Sequence, residues 1–188
     1  MSLELAILLA KVKGSSLSPR IGESERYQHW VSFDDPRRCN DCESNHGKIW
    51  LLSEFPRPKP PLHDRCRCLI RKMQTIVSGT ATINGINGAD WQIKNRGKLP
   101  EYYITKNELS ILGWRTGDKV SKFAKGKMLT RGKYMNMNKH LPSKDGREWF
   151  EADINYLSGK RDGQRILWSN DGLIFVNYDH YETFYEIV

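Results

Sequence analysis

The sequence lacks any apolar run long enough to cross a membrane. A membrane-spanning helix needs roughly 20 predominantly apolar residues, and the apolar stretch near the start, Leu3–Ala10, is far shorter. No basic residue precedes this stretch and no clear cleavage site follows it, so a signal peptide is not indicated. We therefore expect a short amphipathic helix there and no membrane partner.

Cysteine is absent from most of the chain, because all four cysteines lie between Cys39 and Cys68. A small secreted fold held by disulfides has its cysteines spread through the sequence, and such a framework is not indicated. The clustering favours either a local metal site or local crosslinks.

Acidic residues are in the minority, with 22 Asp and Glu against 30 Lys and Arg, which gives a formal charge of +8. A basic surface favours an anionic partner, such as nucleic acid, an anionic membrane surface or an acidic protein. Charge alone does not separate these partners, since many small basic proteins bind none of them. Apolar residues make up 38% of the chain, which is enough to build at least one core.

The cysteines form two groups that can meet across a loop. Cys39 and Cys42 form a C-x-x-C pair, and Cys66 follows His63 by three residues. Four such ligands suit a tetrahedral structural Zn²⁺ site. The ligand set that fits best is Cys39, Cys42, His63 and Cys66, with Cys68 or His46 as substitutes. Two disulfides or free thiols are the alternatives, and nothing marks a cysteine as a low-pKa nucleophile.

Two parts of different character make up the chain. Residues 1–75 form a small loop-rich Cys/His module, in which the proline-dense stretch 56–61 excludes helix and central strand. Residues 76–84 are expected to be a linker. Residues 85–188 show helical signals first and strand signals afterwards. This order predicts an α+β domain with short N-terminal helices followed by a twisted antiparallel β-sheet.

Local signals place the elements of the second part. Thr105 and Glu108 form a capping box that opens a short helix. The apolar side chains of that helix are Leu109, Ile111 and Leu112, and Gly113 follows at the expected C-cap. Strands are expected within 147–156, 165–169, 173–176 and 183–188. The turn Ser169–Gly172 is a strong signal for a hairpin between the second and third of these strands.

Several side chains in the strand region suit phosphodiester transesterification. Glu151 and Asp153 alternate on one strand, so both carboxylates point to the same face. In this reaction one group takes a proton from the ribose 2′-hydroxyl, another protonates the leaving oxygen, and cations stabilise the phosphorane. The candidates are Glu151, His180, Arg161 and Arg165. Taken singly they fit structural roles equally well, for example ion pairs of the arginines with Asp153 and Asp162.

A series of motifs runs through the second part in a fixed order. The motifs are Leu99–Lys106, Leu112–Trp114, Gly146–Tyr156, Arg165–Leu167 and Tyr178–Phe184. In residue identity and in spacing this series resembles the barnase family of microbial ribonucleases, and the resemblance runs nearly to the last residue. A barnase-like α+β fold is therefore implied for the second part.

The resemblance implies a metal-independent endoribonuclease that cleaves single-stranded RNA through a 2′,3′-cyclic phosphate. Glu151 is then the general base and His180 the general acid. The scissile phosphate is held by Lys106, Arg161 and Arg165. No cofactor is implied for the chemistry, and DNA is inert because it lacks the attacking 2′-hydroxyl. A producing cell would need an inhibitor, such as a small acidic barstar-like protein.

The loop that recognises guanine in this family corresponds to residues 134–138. Tyr134 and Asn136 match the family pattern, but Met137 and Asn138 replace its arginine and glutamate. A glutamate can accept two hydrogen bonds from the guanine edge, whereas an amide offers one acceptor and one donor group. We expect relaxed or altered base choice. The expected base contacts are Tyr134, Asn136, Asn138 and Tyr181, with core packing beside Phe184 as the alternative for Tyr181.

The Cys/His module has a resemblance of its own. Trp30, the stretch 34–38, the C-x-x-C pair, Gly47 and the stretch 60–68 are similar to the end of the phage Mu F-like head-morphogenesis (minor head protein) domain. This similarity implies contact with a phage particle or secretion machinery. The two resemblances together predict a secreted or particle-delivered toxin that acts in the cytoplasm of a target bacterial cell.

Two other functions compete with the toxin hypothesis. One is a phage-head structural or nucleic-acid-binding protein whose nuclease-like domain is inactive. The other is a zinc-dependent nucleic-acid-binding module that carries the nuclease as a passenger. Chelation separates the zinc-module hypothesis from the toxin hypothesis. It would abolish nucleic-acid binding by a zinc module, whereas it would leave metal-independent cleavage intact.

Overall fold

A computed structural model describes residues 19–33 and 35–188 of the chain. The helix expected at 3–10 lies outside these residues. Among the described residues, no helix has the length and the apolar character needed to span a bilayer.

Strands dominate the described part of the chain, and its helices are short. The strands are β1 (Ile21–Val31), β2 (Ile49–Leu51), β3 (Leu69–Ile76), β4 (Tyr103–Thr105), β5 (Met128–Tyr134), β6 (Trp149–Asp153), β7 (Arg165–Ser169), β8 (Ile174–Asn177) and β9 (Tyr185–Ile187). The helices are α1 (Asn40–Asn45), α2 (Ala89–Arg96), α3 (Lys106–Ile111) and α4 (Val120–Phe123), with a 3₁₀ turn over Gly85–Asn87. The predicted α+β class of the second part is confirmed.

The strands join one sheet in the order β2-β1-β3-β9-β8-β7-β6-β5-β4. Its described pairings are antiparallel except for β3 with β9 and β4 with β5, which are parallel. The prediction of an antiparallel sheet is therefore wrong in part, because the sheet is mixed. Parallel neighbours need a long crossover connection. Helices α3 and α4 lie in the crossover between β4 and β5, and most of the second part lies between β3 and β9.

The Cys/His module contributes strands to the sheet of the second part. Strand β1 pairs with β2 and with β3. Strand β3 pairs in turn with β9, through Thr75 with Glu186 and Ile76 with Ile187. The proline-dense stretch lies between β2 and β3 and is neither helix nor strand, as predicted. The module is thus richer in strand than its sequence indicates.

Residues 76–84, expected to be a linker, are packed against the second part. Ala81 and Thr82 are buried. The buried carboxylate of Asp90 in α2 accepts hydrogen bonds from the N–H groups of Gly79 and Ala81, at 2.7 and 3.0 Å. The segment therefore fixes the end of β3 against α2.

Side-chain alternation along the central strands separates two apolar layers. The layer covered by α2 contains Ile93, Ile154, Ile166 and Val176. The opposite layer reaches into the module and contains Tyr27, Met73, Trp149, Leu167 and Phe175. Glu151 and Asp153 alternate with Ala152 and share the face of Trp149, so the predicted pair of carboxylates lies on the side of the sheet that meets the module.

The capping box of α3 is confirmed. The side chain of Thr105 accepts a hydrogen bond from the N–H of Glu108, and the Glu108 carboxylate accepts one from the N–H of Thr105 at 2.7 Å. Of the three apolar residues that follow, Leu109 is buried, but Ile111 and Leu112 are exposed. A six-residue helix turns only one narrow face toward the sheet, so the expected apolar face is limited to one side chain.

The expected hairpin is also confirmed, between β7 and β8. Gly172 in its turn has a φ of +92°, which favours glycine because other residues are strained there. Strands β6 and β9 lie within the predicted ranges 147–156 and 183–188.

A buried carboxylate joins the module to the last strand. Glu186 of β9 is only 1% exposed. Its Oε1 atom accepts a hydrogen bond from Nε of Arg26 at 2.7 Å, and its other oxygen accepts the hydroxyl proton of the buried Ser24. Both donors belong to β1. Since a buried charge is costly unless it is paired, these contacts hold β1 in place beside β9.

The Arg26→Ala variant should therefore lower the free energy of unfolding by about 1–3 kcal/mol, because it leaves a buried charge short of donors. The matched control is Lys72→Ala, which breaks a 3.9 Å contact with Glu25 between exposed side chains of the same sheet. Its expected cost is below about 1 kcal/mol. Urea unfolding of both variants measures the difference, and equal losses would contradict this role for Glu186.

Candidate active site

A groove of about 490 Å³ lies over the end of β5, the middle of β6 and the loop after β8. Six of the residues predicted from the sequence line it, namely Tyr134, Asn136, Asn138, Glu151, His180 and Tyr181. Arg131, Lys133 and two methionines of the 134–138 loop complete the lining. The groove therefore brings together the expected base, the expected acid and the expected base-recognition loop.

Glu151 is 4% exposed and lies at the floor of this groove. Its Oε1 atom is 2.8 Å from Nε of Arg131, and its Oε2 atom accepts a hydrogen bond from the Tyr181 hydroxyl at 2.5 Å. Burial, together with the bond to Glu151, raises the pKa of Tyr181 to about 12. Tyr181 thus remains a protonated donor at neutral pH. These contacts hold one orientation of the carboxylate.

Arg131 is a functional candidate that the sequence did not indicate. Strand β5 carries a bulge at this point, because Thr130 pairs with Ala152 whereas Gly132 pairs with Glu151. A bulge redirects the side chain of the extra residue, and here it brings the guanidinium against Glu151. Gly132, with a φ of +76°, is a local signal for such a bulge because an isolated glycine in a strand often marks one. The contact of Arg131 with Glu151 itself depends on the cross-strand register.

His180 projects from a strained turn after β8. Its φ is +62° and that of Tyr181 is +73°, a conformation that non-glycine residues adopt rarely and mostly at functional sites. The amide Oδ1 of the buried Asn177 accepts a hydrogen bond from the N–H of Tyr181 at 3.0 Å. The sequence did not indicate this role for Asn177, which becomes evident only from the turn it supports.

Gly163 makes room for the same turn. A Cβ atom at this position would lie 2.8 Å from the Cβ of His180 and 2.9 Å from its backbone nitrogen. Both distances are far shorter than van der Waals contact, so only glycine allows the 159–164 loop to approach His180. The imidazole itself is exposed and accessible to a ligand in the groove.

The two predicted phosphate-binding arginines meet on Asp153. Nη2 of Arg161 donates to Oδ1 of Asp153 at 2.7 Å, and Nη1 of Arg165 is 3.2 Å from the same oxygen. The hydrogen bond to Asp153 raises the pKa of Arg161. Arg165 is 5% exposed, and its Nε has no hydrogen-bond partner among the described residues. That N–H group is itself buried.

Three predicted site residues lie outside the lining of this groove, namely Lys106, Arg161 and Arg165. Lys106 is exposed at the start of α3. Thr105 pairs with Thr130 of the parallel strand β5, so Lys106 follows β4 at the register of Arg131. This register brings Lys106 near the groove, because Arg131 is one of the groove-lining residues.

The side-chain amides of the 134–138 loop form hydrogen bonds with the residues that follow the loop. The Asn136 side chain donates to the carbonyl of Leu141 at 2.8 Å and accepts from its N–H at 3.1 Å. Nδ2 of Asn138 lies 3.0 Å from Nδ1 of His140. Both amides, expected to contact a base, are thus engaged in holding the loop. The Tyr134 ring stacks on Tyr181 at 5.7 Å between centroids, which leaves aromatic surface beside Glu151.

A second cluster of reactive side chains lies in the module. Nε2 of His63 is 3.3 Å from the sulfurs of both Cys39 and Cys42, and the sulfurs of Cys42 and Cys66 are 3.8 Å apart. Sulfurs bound tetrahedrally at about 2.3 Å from zinc lie roughly 3.8 Å apart. Nδ1 of His63 donates to the carbonyl of Asp64 at 2.7 Å, which directs Nε2 toward the sulfurs.

The remaining candidates for that cluster differ in position. Cys68 lies within reach of Cys42 and Cys66. His46, in contrast, accepts a hydrogen bond from the N–H of Ser32 and lies 3.9 Å from Glu182. All four cysteines are free thiols in the structure. The ligand atoms form two groups of three that share Cys42, namely Cys39, Cys42 and His63, and Cys42, Cys66 and Cys68. Cys66 and Cys68 therefore both remain candidates for the fourth ligand.

Comparison with known proteins bears on the second part of the chain. A family model described as ribonuclease matches residues 87–188. A ribonuclease of Heyndrickxia coagulans is 43% identical over 109 residues, which cover 57% of this chain and 99% of that protein. Ribonucleases of Bacillus intermedius and Bacillus pumilus are also 43% identical over 109 residues, which are 67% of each of those proteins. The chain belongs to the ribonuclease family, and its second part is a barnase-like endoribonuclease domain.

Proposed function

We propose that this endoribonuclease cleaves single-stranded RNA by attack of a ribose 2′-hydroxyl on the adjacent phosphate. The 2′-oxygen forms a bond to phosphorus, the bond to the 5′-oxygen breaks, and the products carry a 2′,3′-cyclic phosphate and a 5′-hydroxyl. The observation that supports this mechanism is that the buried carboxylate of Glu151 and the exposed imidazole of His180 line one groove. No metal takes part in this chemistry.

Proton transfer is divided between these two residues. Glu151 removes the proton of the 2′-hydroxyl, and His180 gives a proton to the departing 5′-oxygen. Arg131 and Tyr181 act as positioning residues, since both contact the Glu151 carboxylate. They keep one face of the carboxylate directed into the groove.

Negative charge that develops on the phosphate is stabilised by the neighbouring cations. The guanidinium of Arg165 is held by its contact with Asp153. Arg161 is held by the same carboxylate. Fixed donors of this kind stabilise a transition state without reorganising during the reaction. Lys106 adds an exposed charge at the adjacent end of the sheet.

The stacked pair of Tyr134 and Tyr181 serves as a platform for a base. Stacking on aromatic side chains tolerates every base, because each has a π-face. The side chains of Asn136 and Asn138 are engaged within the loop, and Met137 is exposed and apolar. We therefore propose relaxed or altered base choice in place of strict guanine recognition.

Glu151→Gln and His180→Ala should each lower kcat/KM on an oligoribonucleotide by roughly 10²–10⁴-fold, because each removes one proton-transfer group. The matched control is Glu148→Gln, on the residue just before β6, where an exposed glutamate contacts Lys133. This control should retain activity within about threefold. Circular dichroism establishes that the variants fold. Near-full activity of folded Glu151→Gln and His180→Ala would contradict the assigned roles.

We also propose that Cys39, Cys42, His63 and Cys66 hold one structural Zn²⁺. Metal ligation requires thiolates. The N–H of Cys42 lowers the pKa of Cys39, whereas burial raises the pKa of Cys42. The bound ion would supply no chemistry to RNA cleavage and would tie α1 to the loop before β3.

Protein purified without chelator should contain one zinc per chain by elemental analysis. Cys42→Ala should lose it, because Cys42 contacts both His63 and Cys66. Cys68→Ala is the matched control and should retain it. Chelation should lower the unfolding temperature and leave cleavage by the folded fraction intact. Zinc-free protein, or equal zinc loss in both variants, would rule out this ligand set.

We propose further that the enzyme acts as a toxin-like effector that an acidic barstar-like protein inhibits. The formal charge of +8 and the exposure of His180 on the groove support an acidic partner. The similarity of the module to phage Mu F-like head proteins supports delivery by a phage particle or a secretion route into the cytoplasm of a bacterial cell. The joint presence of Glu151, Arg165 and His180 disfavours an inactive nuclease-like domain.

Induced synthesis of the intact chain in a bacterial cytoplasm should arrest growth because RNA is cleaved. A chain with both Glu151→Gln and His180→Ala should permit growth at the same protein level. Colony counts and RNA integrity measure the effect. Normal growth with intact RNA in cells that hold the soluble active chain would contradict a toxin role.

A further inference from the structure

A second groove, also of about 490 Å³, lies between the module and the second part. The module contributes Lys48, Trp50 and Arg57 to its lining, and the second part contributes Lys139, Lys144 and Arg147. Five of these six side chains are cationic, and the sixth is a half-buried aromatic ring. The groove thus exists only because the module is joined to the nuclease.

Arg147 is paired with Asp171 at 2.8 Å and Lys48 donates to the side-chain oxygen of Asn45 at 2.8 Å, so the unpaired positive charge of this groove comes from its other three cations. Arg57, Lys139 and Lys144 are exposed and have no acidic partner among the described residues. Glu54, an acidic residue in the lining, accepts a hydrogen bond from the N–H of Leu51 at 2.9 Å. Unpaired cations along a concave surface attract a polyanion and release its counterions on binding.

The positive charge of the groove also affects His140, which follows the 134–138 loop. The pKa of His140 is lowered to about 4, first by burial and then by the charge of Lys48. His140 is therefore neutral at neutral pH. Its carbonyl accepts a hydrogen bond from the N–H of Ile49 in β2 at 2.9 Å, so the module is bonded to the chain two residues after the 134–138 loop.

Two consecutive residues of the chain line the two grooves. Asn138 lines the active-site groove, and the next residue, Lys139, lines the second groove. Lys139 is thus the lining residue of the second groove that is nearest in the chain to the active-site groove. The second part also contributes Lys144 to the second groove, and the module contributes Arg57.

We propose that the second groove binds the phosphates and a base of the RNA strand that flanks the cleaved nucleotide. Its cations contact the sugar–phosphate backbone, and Trp50 offers a ring on which a base can stack. The module is then part of the substrate site. This inference rests on the proposed cleavage of single-stranded RNA.

The shape of the groove favours a strand over an acidic protein. A stable protein interface needs roughly 800 Å² of surface on each partner, whereas this site is a concave channel. A volume of about 490 Å³ is in the range of pockets that hold small ligands and suits a nucleotide segment. The adjacency of Asn138 and Lys139, which line the two grooves, also fits a strand that enters both.

The test compares two substrates with the full chain, a dinucleotide and an oligoribonucleotide of about 12 nucleotides. The variant is Arg57→Glu with Lys144→Glu, one residue from each wall. Its ratio of kcat/KM on the long substrate to that on the dinucleotide should fall about tenfold or more, since backbone contacts beyond the cleaved bond are lost. The dependence of long-substrate cleavage on salt should weaken at the same time.

The matched control is Lys98→Glu with Lys125→Glu, which changes the net charge equally on exposed side chains outside the lining. Its ratio should stay within about twofold of the original. An unchanged ratio in the groove variant, or an equal fall in both variants, would overturn the proposal. An unchanged ratio would also leave the groove to an acidic protein partner.

Binding of a single-stranded DNA of the same length separates this proposal from the cleavage mechanism. The DNA lacks the 2′-hydroxyl and is not cut, but its phosphates are the same. Its affinity should fall about tenfold in the groove variant and remain near the original in the control variant. If the chain cleaves no RNA but shows this pattern, the proposed mechanism fails and the binding groove stands. Equal affinities of the original chain, the groove variant and the control variant would contradict binding of nucleic acid in this groove.

Discussion

The buried carboxylate of Glu151 is the constraint around which the active site is organised. A charge that is 4% exposed needs partners, and Arg131 and Tyr181 provide them. The first contact requires the bulge in β5, and the second requires the strained turn after β8. The same turn carries His180. It depends on the hydrogen bond to Asn177 and on the absence of a side chain at Gly163. One buried carboxylate thus links three segments of the chain.

The module and the active site belong to one continuous sheet. Strand β3 pairs with β9, and the buried Glu186 of β9 is held by two side chains of β1. Strand β2 is also bonded to His140, two residues after the 134–138 loop. Hydrogen bonds thus join the module both to β9 and to the segment that follows this loop.

Local patterns predicted the features that depend on neighbouring residues. Strand periodicity predicted that Glu151 and Asp153 share one face. The capping box at Thr105 predicted the start of α3, and the turn at Gly172 predicted the hairpin. Features set by distant segments were not accessible in the same way. The parallel pairing of β3 with β9 joins strands separated by most of the second part, and the bulge that brings Arg131 to Glu151 depends on cross-strand register. Sequence similarity to ribonucleases supplied the roles that no single residue reveals.

The most direct test of the account is the chemical form of the cleaved ends. An oligoribonucleotide with a single 2′-deoxyribose is incubated with the chain in EDTA, and the products are identified by mass spectrometry. Transesterification predicts 2′,3′-cyclic phosphates at several bases and an intact linkage after the deoxyribose, because that sugar has no attacking hydroxyl. Cleavage after the deoxyribose, or ends carrying a 5′-phosphate and a 3′-hydroxyl, would contradict transesterification by Glu151 and His180.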